Sequence, residues 1–352
     1  MIFDEFLQPS KEQIWYDKAN SLKNISNCYT GNKKNLLFHI SQFLDKNNIE
    51  FKTVFDVFSG SGTVSFYFKL LNKNVISNDI LTSSYYNVKA LAENNNEILD
   101  EKLLKFLIEN KPINQKSWVF DNYIDKFTEE ESKFLDNYRS NIDLLENDYQ
   151  KALAFVCIQN YIIDNCFVGG RLNKGQVLAE LSHRLSHPRN KGSKMLFNLT
   201  KLAPISTFDG QFIKSLNKDV LNAFFDIKSF FIKPELIYLD PPYGGEQSDY
   251  GFMYKFFEEF VYQKPISDLE HLQNSKKFVK AKTYEQNFRD ILEQSKEYPY
   301  ILISYNDSSW KDINYIKNIV SDFKTNIVIE EIDWSYKYRK TSSAKEFLIL
   351  AK

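Results

Sequence analysis

Cysteine is scarce in this 352-residue chain: Cys28, Cys157 and Cys166 are its three thiols. Their spacings fit neither a zinc site nor a disulfide framework, and a reducing cytoplasm suits such usage. Histidine is equally sparse, with four residues, and none stands at ligand spacing to a cysteine. No bound metal is expected. Long apolar runs are missing as well. No stretch approaches the ~18 residues of a membrane span, and the N-terminus lacks a signal-peptide pattern. The expectation is a soluble protein that stays where it is made, with no membrane partner. Charge of one sign is not in excess: the net value is −1, which announces no polyanionic partner globally. The chain has no internal repeat, low-complexity tract or long linker.

Aromatic residues are plentiful, with 30 Phe and 21 Tyr, and hydrophobic residues make up 43%. A chain of this size buries a sizeable core, as one large domain or as a core domain with an insertion. Most of the aromatics belong in that core. Charge is unevenly spread. Residues 100–150 carry twelve acids against seven Lys and Arg, whereas residues 166–205 carry seven Lys and Arg against the single acid Glu180. A local basic patch follows.

The most informative stretch is Leu236-Ile237-Tyr238-Leu239-Asp240-Pro241-Pro242-Tyr243. The apolar run reads as a buried parallel strand, which Asp-Pro-Pro ends abruptly, because proline donates no ladder hydrogen bond and restricts the residue before it. A carboxylate, a stiff carbonyl and an aromatic ring then emerge at the carboxyl end of a sheet, where open α/β folds bind ligands. The bland alternative is a strand-ending turn with a structural tyrosine.

Earlier in the chain, Val54–Phe58 reads as a strand followed by Ser59-Gly60-Ser61-Gly62-Thr63-Val64 and a helical run over Ser65–Leu71. A glycine-rich turn there lets a ligand approach the backbone. The pattern is G-x-G-x-x-S, so a dinucleotide fingerprint lacks its third glycine. A second short strand, Lys73–Ser77, ends at Asn78-Asp79, 17 residues after Gly62. Asp79 is placed to accept the ribose hydroxyls of an adenosine, or else it caps the helix that follows. Near the N-terminus, Gly31 and Lys33 precede a helix with Leu36, Leu37, Ile40 and Phe43 at helical spacing. A lysine at a helix start suits an anion such as a carboxylate; the alternative is an ordinary helix start with solvated lysines.

Residues 84–165 read as several helices, with Gln150–Ile163 too apolar all round for a surface position. The acidic run Glu129–Glu131 reads as a solvated helix start. Gly169–Gly175 is loop chemistry, followed by His183, Arg184, His187, Arg189, Lys191 and Lys194, which suit phosphate and base-edge contacts. Asp219 sits where it tops a strand near a bound adenine or caps a helix. Gly251–Tyr262 reads as one aromatic-rich helix, residues 263–299 have no clear pattern, and Tyr300–Asn306, Asn326–Ile332 and Glu346–Leu350 read as strands.

Taken in order, these motifs resemble the DNA adenine-N6 methyltransferases of the Dam-like class, over about residues 27–350. Tyr29-Thr30-Gly31-Asn32-Lys33 resembles the aromatic-x-Gly-x-Lys motif, and Phe58-Ser59-Gly60-Ser61-Gly62 is similar to the F-x-G-x-G cofactor loop. Asn78-Asp79 resembles the ribose motif, and Asp240-Pro241-Pro242-Tyr243 matches the catalytic D-P-P-Y. Ile303–Asn306 and Lys345–Ile349 resemble the late strands. The cofactor loop precedes the catalytic motif with an insertion between them, the α order. Gly170–Gly175 is loosely similar to the family's G-x-x-R-x-N-x-x-G stretch, but Val177-Leu178 follows where the family has Phe-Asn.

The resemblance implies a Rossmann-like S-adenosylmethionine-dependent methyltransferase fold of the α/β class, with a mixed, mostly parallel sheet and an inserted, largely helical recognition domain. Residues 1–100 and 211–352 would form the catalytic domain and 101–210 the insertion. Asp240 and the Pro241 carbonyl would accept the N6 hydrogens of a flipped adenine, with Tyr243 stacking on the base and Pro242 completing the catalytic motif. Tyr29, Lys33, Phe58, Gly60, Gly62, Asp79, Asp219 and Asp240 would line the cofactor and target pocket. Arg171, Lys174, Arg184 and Arg189 would contact double-stranded DNA, and a cognate restriction endonuclease suits such an enzyme. Three other readings stand beside it. They are transfer to cytosine N4 or an RNA base, a nicotinamide-dependent dehydrogenase on the Gly60/Gly62 loop, and a DNA-binding module without catalysis.

Overall fold

The apolar runs of the sequence become the strands of one central sheet. In the computed structural model, the described residues are 9–22, 31, 33–113, 116–168, 171–172, 211–242, 249–278, 280–306, 310–334 and 344–352. The strands are β1 (Thr53–Asp56), β2 (Asn74–Asn78), a two-residue pair β3 (Phe167–Val168) and β4 (Arg171–Leu172), then β5 (Ile213–Leu216), β6 (Leu236–Leu239), β7 (Tyr300–Asn306), β8 (Ile327–Trp334) and β9 (Ala344–Ala351). Seven of them form the sheet, in the order β5-β2-β1-β6-β7-β9-β8. β5, β2, β1, β6 and β7 are parallel neighbours. β9 slots antiparallel between β7 and β8. Every residue of β1, β2 and β6 is buried, as expected of parallel strands covered on both faces.

Strand alternation feeds two cores. Val54, Val75, Leu236, Tyr238 and Leu302 point to one face, with helices α2 (Leu37–Lys46) and α3 (Thr63–Leu70). Phe55, Ile76, Ile237, Leu239 and Ile301 point to the other. There they meet α9 (Val220–Ile227), α12 (Ala281–Ser295) and α13 (Ile313–Ser321). The first face is thickened by α4 (Thr82–Val88), α5 (Glu101–Glu109), α6 (Trp118–Asn122), α7 (Glu129–Asp143), α8 (Asp148–Cys166) and α11 (Lys255–Tyr262). Leu107, Tyr138, Val156 and Phe260 of these helices share one apolar cluster with the sheet. Lys69 closes the π-helical turn Lys89–Glu93 after α4, donating to Ala92 O at 2.7 Å and Asn94 O at 2.9 Å. No helix among the described residues is long and apolar enough to cross a membrane.

Several sequence expectations change. The aromatic helix is two pieces, α10 (Tyr250–Met253) and α11, because Tyr254 at φ −101°, ψ 14° leaves helical space between them. The patternless 263–299 stretch contains α12, whose Tyr284, Phe288, Ile291 and Leu292 are buried at helical spacing. Residues Lys11–Ser21 form α1, with only Ala19 buried. Within the acidic start of α7, Glu131 is buried and forms a capping box with Thr128, while Glu129 is exposed. Arg171–Leu172 of the Gly169–Gly175 stretch is β4, paired with β3 in the ribbon.

Candidate active site

From β1 the chain steps outward to β2 and β5 with helices on one face. It then returns to β6 and moves the opposite way with α9, α12 and α13 on the other. The reversal falls between β1 and β6, so their carboxyl ends open a crevice at the topological switch point. A cleft of about 1050 Å³ lies there. It is lined by both strand ends, the β2 tip, the start of α9 and the segment around α10.

Each wall has a local cause. The β1 loop turns at Gly60 (φ 50°) and Gly62 (φ 75°), and Gly62 starts α3. A Cβ on Gly62 would stand 3.1 Å from Val88 Cγ2, so this glycine permits close packing of α3 on α4. Gly62 therefore sits behind the lining, whereas Phe58 and Gly60 are part of it. Asp79 at the β2 tip accepts from Gly60 N at 2.8 Å and Leu81 N at 2.9 Å. Asn217 donates to the carbonyls of Asp79 and Ile80, and Glu258 receives the amides of Thr82 and Ser83, which fixes this tip from behind. Asp219 caps α9 through Leu221 N at 3.1 Å and also lines the cleft, held by Lys277 at 3.1 Å. Phe58 meets Phe278 edge to face at 5.7 Å.

Lys33 departs from the solvated-lysine expectation. It is 5% exposed and Lys34 is 8% exposed. Lys33 Nζ lies 3.2 Å from Asp240 Oδ1 and 3.6 Å from Glu346 Oε1. Burial works against its charge, but Asp240 and Glu346 outweigh it and hold its pKa above the ordinary lysine range. Asp240, Pro241 and Pro242 reach the cleft from the end of β6.

Four lining or supporting residues had no assigned role in the sequence reading. Asp56 ends β1, is 1% exposed, and accepts from Ser65 Oγ at 2.6 Å, while its Oδ1 has no hydrogen-bond partner. Burial pushes its carboxyl up to about 7, with Ser65 opposing and Asp240 and Asp79 adding to the rise. Asp79 is also pushed to about 7 by burial, against the pull of the Leu81 and Gly60 amides. Tyr250 lines the cleft from α10, its hydroxyl 3.1 Å from where a Cβ on Gly31 would stand. Lys277 and Glu346 complete the set. An Asp closing a buried strand is a readable signal for Asp56; the other three converge only through topology. Among the described residues no His, Cys, Asp and Glu group is arranged to hold a metal.

Tyr29, Tyr243, Lys174, Arg184 and Arg189 lie outside the described residues, and Arg171 is described only as backbone in β4.

The sequence has counterparts among known proteins. A family profile described as "D12 class N6 adenine-specific DNA methyltransferase" matches residues 29–334. Type II methyltransferase M2.HphI of Haemophilus parahaemolyticus is 26% identical over 324 residues, covering 88% of this chain and 91% of that protein. Modification methylase StsI of Streptococcus sanguinis is 27% identical over 354 residues, covering 90% of this chain and 50% of its own length. Modification methylase LlaI of Lactococcus lactis subsp. lactis is 24% identical over 339 residues, with 90% and 52% covered. The chain thus spans about half of the latter two. With this match across the cofactor loop, the D-P-P strand end and most of the sheet, the chain belongs to the D12 class of N6 adenine-specific DNA methyltransferases.

Proposed function

We propose that the cleft binds S-adenosylmethionine beside a flipped adenine of double-stranded DNA and that Asp240 activates the adenine N6 for methyl transfer. The observation that carries this reading is the meeting of Asp240, Asp79 and Asp56 in one cleft at the switch point. The cofactor fits these residues. Its sulfonium and amino groups are cationic, and Asp56 Oδ1 is a buried acceptor with no hydrogen-bond partner in the cleft wall. S-adenosylmethionine supplies an electrophilic methyl group.

The protein residues act on the other reactant and on orientation. The N6 lone pair of adenine is delocalised into the ring. Asp240 and the Pro241 carbonyl accept the two N6 hydrogens, which draws the nitrogen towards tetrahedral geometry and localises the lone pair. Tyr243 stacks on the extruded base, and Pro242 holds the turn rigid. Phe58 and Gly60 form the cofactor floor, Asp79 accepts ribose hydroxyls, and Asp56 and Asp219 hold the amino and adenine ends. Lys33 lines the cleft, and the family motif assigns Tyr29 with it to the cofactor or target pocket.

DNA contact is assigned to the 101–210 insertion, with Arg171, Lys174, Arg184 and Arg189 on phosphates and base edges. The basic excess of residues 166–205 supports that assignment. The names of the relatives support a modification role in a restriction-modification system, with a cognate endonuclease as the partner. The enzyme would act in the cytoplasm without a metal. Replacing Asp240 tests the chemistry: Asp240→Ala is expected to abolish methyl transfer while retaining S-adenosylmethionine binding by calorimetry. Substantial residual transfer would remove Asp240 from the centre of the mechanism.

A further inference from the structure

Glu346 approaches Lys33, which lines the cleft, from the far side of the sheet order. β9 runs antiparallel, so its beginning lies at the carboxyl end of β7, where Glu346 faces Asn306 in register. Asn306 Nδ2 donates to Glu346 Oε1 at 3.3 Å, and Lys33 Nζ stands 3.6 Å from the same oxygen. Lys33 in turn stands 3.2 Å from Asp240 Oδ1. Glu346 is 3% exposed, and its Oε2 is buried without a hydrogen-bond partner. A second buried carboxylate beside Asp240 is costly for folding alone: a Lys33–Asp240 pair would be neutral, and Glu346 adds an incompletely solvated negative charge.

We propose that Glu346 is a positioning residue for methyl transfer, holding the Lys33 ammonium so that it fixes the orientation of the Asp240 carboxylate without neutralising it. With Glu346 in place, the lysine is shared between two carboxylates and Asp240 keeps its strength as an acceptor for N6 hydrogens. Without it, more of the charge of Lys33 bears on Asp240, and the lysine loses one of the contacts that set its distance. This role rests on Asp240 acting at adenine N6. The other groups that bear on the trio are Asp56 from β1, Tyr238 from β6, Tyr250 from α10 and Tyr284 from α12. All remain in a Glu346 variant.

The test compares Glu346→Gln, Glu346→Asp and Asp240→Asn in the full-length enzyme, using labelled S-adenosylmethionine and unmethylated genomic DNA. Glu346→Gln is expected to lower kcat by about tenfold to a hundredfold, with KM values and calorimetric cofactor affinity within about threefold of wild type. The acid limb of its kcat–pH profile moves to lower pH, because one negative charge fewer faces the site. Glu346→Asp keeps the charge and is expected to keep the wild-type position of that limb, with a smaller loss of kcat. It also serves if the Gln variant does not fold. Wild-type kcat and pH profile in Glu346→Gln, with Asp240→Asn inactive, would overturn the role of Glu346 alone. Loss of cofactor binding and turnover together in both Glu346 variants would make the residue structural and overturn it as well. Wild-type turnover in Asp240→Asn would instead overturn the reading of Asp240.

Discussion

Asp79 Oδ2 accepts a hydrogen bond from Gly60 N at 2.8 Å, joining the tip of β2 to the turn after β1. Its other oxygen takes the Leu81 amide at 2.9 Å. One carboxylate thus shapes the glycine turn and its own strand end while lining the cleft. Asp79→Ala removes both bonds and the proposed ribose acceptor. Hydrogen bonds to charged groups contribute about 1.5–3 kcal/mol each, so cofactor affinity is expected to fall by at least about tenfold. Asp79→Asn, which keeps one acceptor, should lie between. Titration calorimetry reads both, and unchanged affinity in Asp79→Ala would contradict the assignment.

Gly62 makes a separate prediction, about stability. Its φ of 75° is left-handed, and an added Cβ would press on Val88 Cγ2 at 3.1 Å. Gly62→Ala is expected to destabilise by about 1–2 kcal/mol from the backbone alone. Pairing it with Val88→Ala relieves the contact but leaves the backbone cost together with the loss of the buried Val88 methyls. Chemical denaturation of both single variants and the double variant separates the contact from these costs. A single variant as stable as wild type would contradict the account of this turn.

Asp56 and Asp79 make the free enzyme sensitive to pH. Both carboxyls are raised by burial from 3.8 to about 7. Between those values the folded protein holds protons that the unfolded chain has released. The associated stability is fully present below the unfolded pKa and is lost as pH rises through about 7. Asp136, raised to about 6 by burial, adds to the same trend. Thermal melts from about pH 5 to about pH 8 should show Tm falling for wild type and falling less for Asp56→Asn. Equal slopes would show that Asp56 is ionised in the folded protein throughout.

The parts of this site that local chemistry writes are legible in the sequence. A run such as Leu236–Leu239 ended by Asp-Pro-Pro announces a buried strand and the residue at its tip, and the spacing of Gly60, Gly62 and Asp79 announces two neighbouring strand ends. What stays hidden depends on topology. Lys33, Asp240 and Glu346 come together only because β9 turns back between β7 and β8, and no local pattern encodes that insertion. The burial of Lys33 near a helix start is unreadable for the same reason, since Asp240 and Glu346 lie far along the chain. Helix α12 is obscured differently: its apolar stripe is present at Tyr284, Phe288, Ile291 and Leu292, but polar residues outnumber it. Helix α1 buries too little to leave a stripe at all.

Methyl transfer from labelled S-adenosylmethionine to unmethylated genomic DNA, followed by nucleoside analysis of the product, tests the central claim most directly. The account predicts label in N6-methyladenine with wild-type enzyme and none with Asp240→Ala. Label in N4-methylcytosine, or label that survives the loss of Asp240, would contradict it.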